Sequence, residues 1–179
     1  MSTVKFTLTR DVKAPNRGTA EAAGIDFFIP YFNDKFLKDL IKKNPAQNVR
    51  YEIEEGEIGS ELLITLMPNT RLLIPSGVRV SIDPQTALIA ANKSGVSTKK
   101  GLVFTAQVVD SDYDGEMHIG VANISDKPVT IKTGEKLIQF VHTPILLSNL
   151  LWVEESVITA DHQESARGDR GFGDGTGNA

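Results

Sequence analysis

Four carboxylates alternate with other residues in the segment VVDSDYDGEMHIG, which covers residues 108–120. They are Asp110, Asp112, Asp114 and Glu116. The first half fits the calcium-loop pattern D-x-[DN]-x-[DN]-G, but such a loop ends on a glutamate at its twelfth position, where this chain has Val121. The flanking FTAQVV and MHIGVANI are typical of strands rather than helices. Catalysis or a plain turn therefore fits better than calcium binding.

A second segment, ANKSGVSTKKG, places a cation, a hydroxyl and a glycine amide side by side at Lys93, Ser94 and Gly95, in a predicted turn. These groups suit the oxygens of a phosphate. The pattern is weak alone, because such turns are common on protein surfaces. The GxxxxGK[ST] spacing of a P-loop and a GxGxxG after a strand are both absent from the sequence, so neither nucleotide motif is indicated.

The C-terminal stretch SARGDRGFGDGTGNA has five glycines between Gly168 and Gly177 and one aromatic residue, Phe172. Such a composition cannot build a core, and one interpretation is a flexible tail. The other is a segment that closes over an anionic ligand, because glycine amides and arginine donors bind phosphate and a ring can face a base.

Other candidate groups are more isolated. Asp26 lies in EAAGIDFF among apolar neighbours, where a carboxylate needs a partner or a role. It could equally be a structural aspartate that accepts backbone hydrogen bonds. The three histidines, His118, His142 and His162, lack the spacing of a zinc site.

The elements that must position these residues are mostly strands. Alternating runs are separated by turn residues and predict an all-β barrel, sandwich or jelly roll. These runs are VKFTLT, IDFFI, LLITLM, GVRVSI, TALIAA, LVFTAQVV, MHIGVANI, PVTIK and KLIQFVH. One helix is predicted in NDKFLKDLIKKNP, with Asn33 or Asp34 as its cap and Pro45 after its end. The next segment, VRYEIEEGEIGSELLITL, predicts a β-hairpin or an irregular loop.

Composition narrows the function classes. The 179 residues suit one domain, and a net charge of -4 with scattered basic residues indicates neither a nucleic-acid surface nor a membrane surface. With no cysteine there is no disulfide framework or thiolate metal site. No apolar run has the length of a membrane helix, and MSTVKFTLTR is not a signal peptide. The expected location is the cytoplasm, or the host cytoplasm for a viral protein.

In their order along the chain, five segments resemble the five motifs of the trimeric dUTP pyrophosphatases, the dUTPases. They are AAGIDFF, KSGVSTKKG, VVDSDYDGEMHIGVAN, TGEKLIQFV and RGDRGFGDGTG. The resemblance implies a distorted β jelly roll of the β-clip type and a homotrimer with shared active sites. It also implies hydrolysis of dUTP to dUMP and pyrophosphate, with Mg²⁺ bound across the triphosphate, which limits uracil incorporation into DNA.

The resemblance assigns roles to individual residues. Asp110 would be the catalytic base that orients and deprotonates water, and an aspartate in water is ionised at neutral pH. Tyr113 would pack against the deoxyribose. Asp26 would support the metal through water. The substrate-binding residues would be Lys93, Ser94, Gly95, Gln107, Val108, Val109, Asp110, Tyr113, His118, Gln139, Arg167, Phe172, Gly173 and Thr176.

The same resemblance predicts a local structure for residues 107–118 and for the C-terminal tail. A hairpin from Gln107 to His118, with its turn at Asp114 and Gly115, would read uracil through backbone groups. The tail would order over bound nucleotide, with Arg167 at the γ-phosphate and Phe172 stacked on uracil. The expected division is a β domain over residues 1–165 and an active-site arm over residues 166–179.

Three features depart from the family pattern. Lys93 replaces an arginine, which keeps the charge but loses the bidentate fork. Arg170 stands where glycine is usual, and DGT replaces a Ser-Thr pair before Gly177. The segment of about residues 31–59, which holds the predicted helix, is longer than the family pattern needs. It is expected to be either a loop elaboration or a module that binds a protein partner.

Two other functions stay open on the sequence. The first, within the fold expected here, is a deoxycytidine triphosphate deaminase or a pyrophosphatase with altered base preference. A regulatory protein that uses nucleotide as a switch, with residues 31–59 as its contact surface, belongs to a different class.

Overall fold

The computed structural model describes residues 2–45, 47–56 and 59–161, which contain thirteen strands and three helices. The strands are β1 (Lys5–Leu8), β2 (Asn16–Arg17), β3 (Gly24–Phe28), β4 (Val49–Gly56), β5 (Gly59–Leu66), β6 (Arg71–Pro75), β7 (Val78–Ser81), β8 (Thr86–Ala91), β9 (Leu102–Phe104), β10 (Val108–Asp110), β11 (His118–Asn123), β12 (Val129–Lys132) and β13 (Lys136–Pro144). The helices are α1 (Asp34–Lys43), α2 (Ser94–Lys100) and α3 (Glu155–Asp161).

Antiparallel pairing joins these strands into four sheets. The largest has the order β10-β8-β13-β3-β2, and the others have the orders β6-β11-β9, β12-β5-β4 and β1-β7. Aliphatic and aromatic side chains from every described strand except β1 and β2 fill one core, in which the rings of Phe27 and Phe140 meet edge to face at 4.9 Å. The prediction of an all-β, distorted jelly-roll fold is confirmed.

The predicted strands form, with three differences, one of which is that the two-residue strand β2 was not predicted. The run LVFTAQVV is not one strand, because β9 pairs with β11 whereas β10 pairs with β8 in another sheet. The change of partner occurs between Thr105, whose N–H donates to Gly120, and Gln107, whose carbonyl accepts from Ala90. The strand β6 was not predicted, since its sequence RLLIP is a continuous apolar run that ends in proline rather than an alternating one.

Helix α1 begins and ends where its sequence predicts. The Asn33 side chain caps it by accepting from the Phe36 N–H at 2.8 Å, and Lys42 and Lys43 lie in the last turn, where cations suit the helix dipole. After the helix, the Asn44 side chain pairs with the backbone N–H and carbonyl of Leu73 on β6. The helix is therefore fixed to the neighbouring sheet by hydrogen bonds as well as by packing.

Helix α1, in the segment of residues 31–59, packs into the core. Phe36 and Leu40 of α1 are both fully buried, and β4, most of which is exposed, pairs with β5 along its whole length, with Gly56 opposite Gly59. The apolar face of the helix covers the β6 sheet, and the choice between a loop elaboration and a module that binds a partner stays a prediction.

The chain forms two compact units, Met1–Leu146 and Leu147–Ala179. The described strands lie in the first unit with α1 and α2, and the described part of the second contains α3. The predicted domain boundary between residues 165 and 166 lies outside the described residues. Among the described helices, none is long and apolar enough to cross a membrane.

Candidate active site

The largest sheet brings three of the sequence segments into one row. Asp26 on β3 stands opposite Gln139 on β13, and Gln139 stands opposite Ala91 on β8. The chain leaves β8 at Ala91 and reaches Lys93 two residues later. Asp26, Lys93, Lys136 and Gln139 form what we call the Asp26 cluster.

Asp26 is only 3% exposed and is held by two ammonium groups. Lys93 Nζ lies 2.5 Å from Oδ1 and Lys136 Nζ lies 2.9 Å from Oδ2. Burial alone would raise the pKa of the Asp26 carboxyl, but the hydrogen bonds and charges of the two lysines outweigh it, so that the pKa is lowered. The carboxylate is thus ionised and satisfied, and the two lysines leave the cluster with a net positive charge.

This pairing predicts a pH effect on stability. The pKa of Asp26 is lowered in the folded state. The ionised carboxylate therefore contributes fully to the free energy of unfolding above the ordinary carboxyl pKa of 3.8, and this contribution is lost as the pH falls through the folded-state pKa. Urea unfolding between about pH 6 and pH 3 should show a smaller loss of unfolding free energy for Asp26→Asn than for the wild type. Asp126→Asn, at an exposed position, serves as the control. Equal losses in the Asp26 variant and the wild type would contradict the pairing.

Ser94 and Gly95 occupy the first turn of helix α2, not the predicted turn. The helix packs on the core through its buried residue Val96. It ends at Gly101, which adopts a left-handed conformation with φ 65°. Gly101 after two lysines is the stop signal that could have revealed the helix. Both Ser94 and Gly95 are exposed, and first-turn amides have no acceptor within a helix, so they can bind an anion.

Gln139 is placed by its neighbours on two strands. Its Nε2 donates to the Asn92 carbonyl at 3.3 Å, just before Lys93. A β-carbon at Gly24 would lie 2.8 Å from the Gln139 Cδ, so this glycine leaves the room that the glutamine side chain occupies. The side-chain amide of Gln139 therefore lies next to the start of α2.

Asp110 is the last residue of β10 and is exposed. The predicted hairpin from Gln107 to His118 is wrong, because β10 pairs with β8 and β11 pairs with β6 and β9. Residues 111–117, which we call the crossover loop, instead carry the chain from one sheet to another. Asp112 and Asp114 lie exposed in this loop, whereas Glu116 is largely buried and paired with Arg10.

Beside the crossover loop lies a cavity of about 170 Å³, which we call the crossover pocket. Its lining residues are Ala106, Val108, Val109, Asp110, Tyr113, Met117, His118 and Phe140. The volume is below the about 300 Å³ at which pockets for whole drug-sized molecules begin, so it suits one part of a nucleotide. The buried Phe140 ring is apolar and Asp110 is charged, a combination that suits a base or sugar next to a reacting group.

Tyr113 is fixed at the pocket although it is 43% exposed. Its Oη donates to the Glu116 carbonyl at 2.9 Å, and its N–H donates to the Asp110 carbonyl at 3.2 Å. A β-carbon at Gly115 would lie 2.6 Å from the Tyr113 Cζ, so glycine is required where the ring crosses the loop. The ring therefore has one defined place.

His118 lines the same pocket. Burial, aided by the positive charge of Lys43, lowers the pKa of its imidazole despite the nearby Glu116 carboxylate. Its Nε2 is buried and has no hydrogen-bond partner in the part of the chain that the structure describes. Val108 lines the pocket and is exposed, and Val109 is half-buried, whereas Gln107 is exposed and does not line the pocket.

Asp110 and Gln139 stand apart on one chain, although Phe140 of the crossover pocket directly follows Gln139 on β13. Asp110 pairs with Ala87 and Gln139 with Ala91, positions that lie about 13 Å apart along β8 at the about 3.3 Å rise of a strand. Arg167, Phe172, Gly173 and Thr176 lie outside the described residues. Across residues 2–45, 47–56 and 59–161, no group of three or more His, Cys, Asp or Glu side chains could hold a metal.

Several contacts of the site were not predicted. Lys136 joins Asp26 because it begins β13 opposite Phe28, a register that no sequence pattern specifies. Arg10 and Glu116 form an ion pair although 106 positions separate them in the sequence. In residues 108–120 the regular spacing of four carboxylates gave no sign that Glu116 differs from the other three.

Comparison with protein families identifies the family of this chain. The family model described as dUTPase matches residues 57–176, which is more than half of the chain. The chain belongs to the dUTPase family. The matched span includes β5 to α3 and the C-terminal segment, whereas β1 to β4 and α1 lie before it.

Individual dUTPases agree with this assignment. The deoxyuridine 5'-triphosphate nucleotidohydrolase of Actinobacillus pleuropneumoniae serotype 3 is 33% identical over 128 residues, which are 66% of this chain and 81% of that protein. The Staphylococcus bacteriophage 80alpha dUTPase with dUPNHPP has a TM-score of 0.69 at 22% identity and covers 96% of this chain and 97% of its own. A mutant dUTPase of phage phi11 of S. aureus, described with a structural Mg(II) ion, has a TM-score of 0.61 at 23% identity, over 86% and 97% of the two chains. At these identities the two phage structures support the dUTPase fold alone.

Proposed function

We propose that this protein hydrolyses dUTP to dUMP and pyrophosphate, and so limits uracil incorporation into DNA and supplies dUMP. The observation that carries the proposal is the crossover pocket, which is lined by the Asp110 carboxylate and the Tyr113 ring. Membership of the dUTPase family supports the same substrate.

In the proposed reaction, Asp110 accepts a proton from a water molecule as the water attacks the α-phosphorus in line with the leaving pyrophosphate. A positioned base of this kind contributes about 10² to 10⁴ in rate. The Tyr113 ring packs on the deoxyribose, where a 2′-hydroxyl would collide, and backbone groups of Gln107 to His118 read the uracil. The exposed ends of β10 and the crossover loop leave those backbone groups accessible.

The phosphates are proposed to bind at the Asp26 cluster and the start of α2. Lys93, Ser94, Gly95 and Gln139 are adjacent there, and the two lysines exceed the charge of Asp26. Arg167 at the γ-phosphate, Thr176 and Gly173 beside it and Phe172 over the uracil complete the proposed contacts.

The donor set fits a magnesium ion that the substrate holds. Asp26 is a single carboxylate whose oxygens each have a further lone pair beyond the lysine contact, so it can accept from a metal-bound water. When bound across the triphosphate, Mg²⁺ supplies charge neutralisation for the leaving pyrophosphate.

We further propose a homotrimer in which each site is shared between subunits. The separation of Asp110 from Gln139 along β8 supports this, because a second subunit can bring an Asp110 closer to the phosphate-binding residues. Val108 at the pocket entrance is 61% exposed, which suits a surface that a second subunit covers.

Shared sites predict complementation between inactive variants. Asp110→Asn in the pocket and Gln139→Ala in the Asp26 cluster should each hydrolyse dUTP at least about tenfold more slowly than the wild type. After the two are unfolded and refolded together in equal amounts, about a quarter of all sites, each of them in a mixed trimer, should contain both intact parts. Activity well above either variant alone would then be measured, and a mixture no more active than its components would contradict sharing.

The substrate itself is tested with a nucleotide panel. Purified protein is incubated with dUTP, dCTP, dTTP and UTP, with Mg²⁺ present, and the products are resolved. Pyrophosphate and dUMP from dUTP alone are expected. Ammonia release from dCTP without pyrophosphate would overturn the proposal in favour of a deaminase.

A further inference from the structure

The guanidinium of Arg10 connects helix α1 to the crossover loop. Its Nε and Nη2 donate to the two carboxylate oxygens of Glu116 at 2.6 and 3.0 Å, and its Nη1 donates to Asp39 Oδ2 at 2.8 Å. The Arg10 side chain is only 13% exposed. Two parallel, charge-assisted hydrogen bonds fix both distance and orientation, so Glu116 has one defined position.

A third donor completes the contacts of Glu116. The Gly77 N–H donates to its Oε1 at 2.8 Å. Gly77 has φ 73°, and a β-carbon there would lie 3.0 Å from the Arg10 Cβ, so glycine allows the turn to approach the arginine. Burial alone would raise the pKa of Glu116, but the bonds from Arg10 and Gly77 outweigh it and lower the pKa. Glu116 is thus an ionised acceptor committed to this network.

The same residue holds the Tyr113 side chain. The backbone carbonyl of Glu116 accepts the Tyr113 hydroxyl at 2.9 Å. The next residue, Met117, exchanges backbone hydrogen bonds with Val78 and Ser76 at 2.8 and 3.0 Å. Asp110, at the other end of the loop, is fixed separately through the pairing of β10 with β8. The two ends of the crossover loop therefore have different anchors.

We propose that Arg10 and Glu116 are positioning residues that set the place of Tyr113 in the crossover pocket, with Asp39 of α1 completing the hold on Arg10. The proposal rests on the proposed dUTP hydrolysis. Arg10, Glu116 and Asp39 do not line the pocket, and they act on substrate only through the tyrosine. Through them helix α1, whose apolar face packs on the core, contributes to nucleoside binding.

The separate anchors predict which kinetic constant changes. Loss of the Arg10 to Glu116 contact frees the Tyr113 ring, which binds the nucleoside in the ground state, while Asp110 stays on β10. The Michaelis constant for dUTP should therefore rise more than kcat falls. A network that served only to stabilise the fold would lower the amount of active protein and leave the Michaelis constant of the folded fraction unchanged.

The test is a double-mutant cycle in the full-length protein with dUTP and Mg²⁺. Glu116→Gln should raise KM about tenfold, as expected for the loss of a charged hydrogen bond, with kcat within about threefold of the wild type. Tyr113→Phe removes only the hydroxyl that Glu116 accepts. Glu116→Gln should raise KM less than about threefold in that background, because the coupling is already lost. Glu61→Gln, which removes a surface ion pair with Lys132 on the β5 sheet, serves as the control and should leave KM unchanged.

Circular dichroism establishes that each variant is folded, and if Glu116→Gln does not fold, Arg10→Lys takes its place in the same cycle. An unchanged KM, or an equal rise in the wild-type and Tyr113→Phe backgrounds, would overturn the inference while the proposed function stands. A wild-type protein that does not hydrolyse dUTP would overturn the proposed function, and this inference with it.

Discussion

Replacement of Asp110 by asparagine should lower kcat for dUTP by about 10² to 10⁴, the range that a positioned general base contributes. Asparagine has nearly the same shape, but its amide cannot accept a proton at neutral pH. Asp110 ends β10 at the edge of the crossover pocket, and its strand pairing does not depend on its side chain. Nucleotide affinity, measured by calorimetry with a non-hydrolysable analogue, should therefore change by less than about threefold.

The matched control is Asp114→Asn in the same loop. Asp114 is exposed and is absent from the pocket lining, so its variant should keep near wild-type turnover. Turnover of Asp110→Asn within about tenfold of the wild type would show that another group accepts the proton.

Replacement of Phe36 by alanine should cost about 3 to 5 kcal/mol of unfolding free energy, because a fully buried ring would leave a cavity. That loss is a large part of the about 5 to 15 kcal/mol that stabilises a typical domain. Urea unfolding monitored by circular dichroism measures it. The result would establish α1 as part of the fold rather than as an addition to it.

Ile41→Ala on the same helix is the matched control. Ile41 is 48% exposed, so its replacement should change stability by less than about 0.5 kcal/mol. A cost at Phe36 as small as that at Ile41 would contradict the packing of α1. If residues 31–59 also bind a protein partner, Ile41→Lys is a better probe than deletion, since deletion would remove Phe36 and Leu40 from the core.

Local patterns predicted the elements well. Helix α1 carries its cap, its apolar face and its basic last turn in a single contiguous segment, and most strands alternate and are bounded by turn residues. The pairing of strands could not be predicted as well, because a sequence does not specify which distant strand becomes a neighbour. For this reason the crossover between β10 and β11 was predicted as a hairpin.

The candidate site shows the same limit. Asp26, Lys93 and Gln139 could be named from motifs, and the fold places them together. Lys136 and Arg10 could not, because each meets its partner only through tertiary contacts. Glu116 was grouped with three other carboxylates by spacing, whereas its burial and its arginine partner separate it from them.

The insertion of β13 between β3 and β8 has a consequence for protein synthesis. Asp26 and Gln139 become neighbours only after β13 has left the ribosome, which at about 5 to 20 residues per second is on the order of ten seconds after β3. Pairing of such distant strands is slow. During that time the apolar residues of β3 lack β13 as a neighbour. The Asp26 cluster therefore forms only after β13 has joined the sheet, and nascent chains halted before β13 should be targets for chaperones.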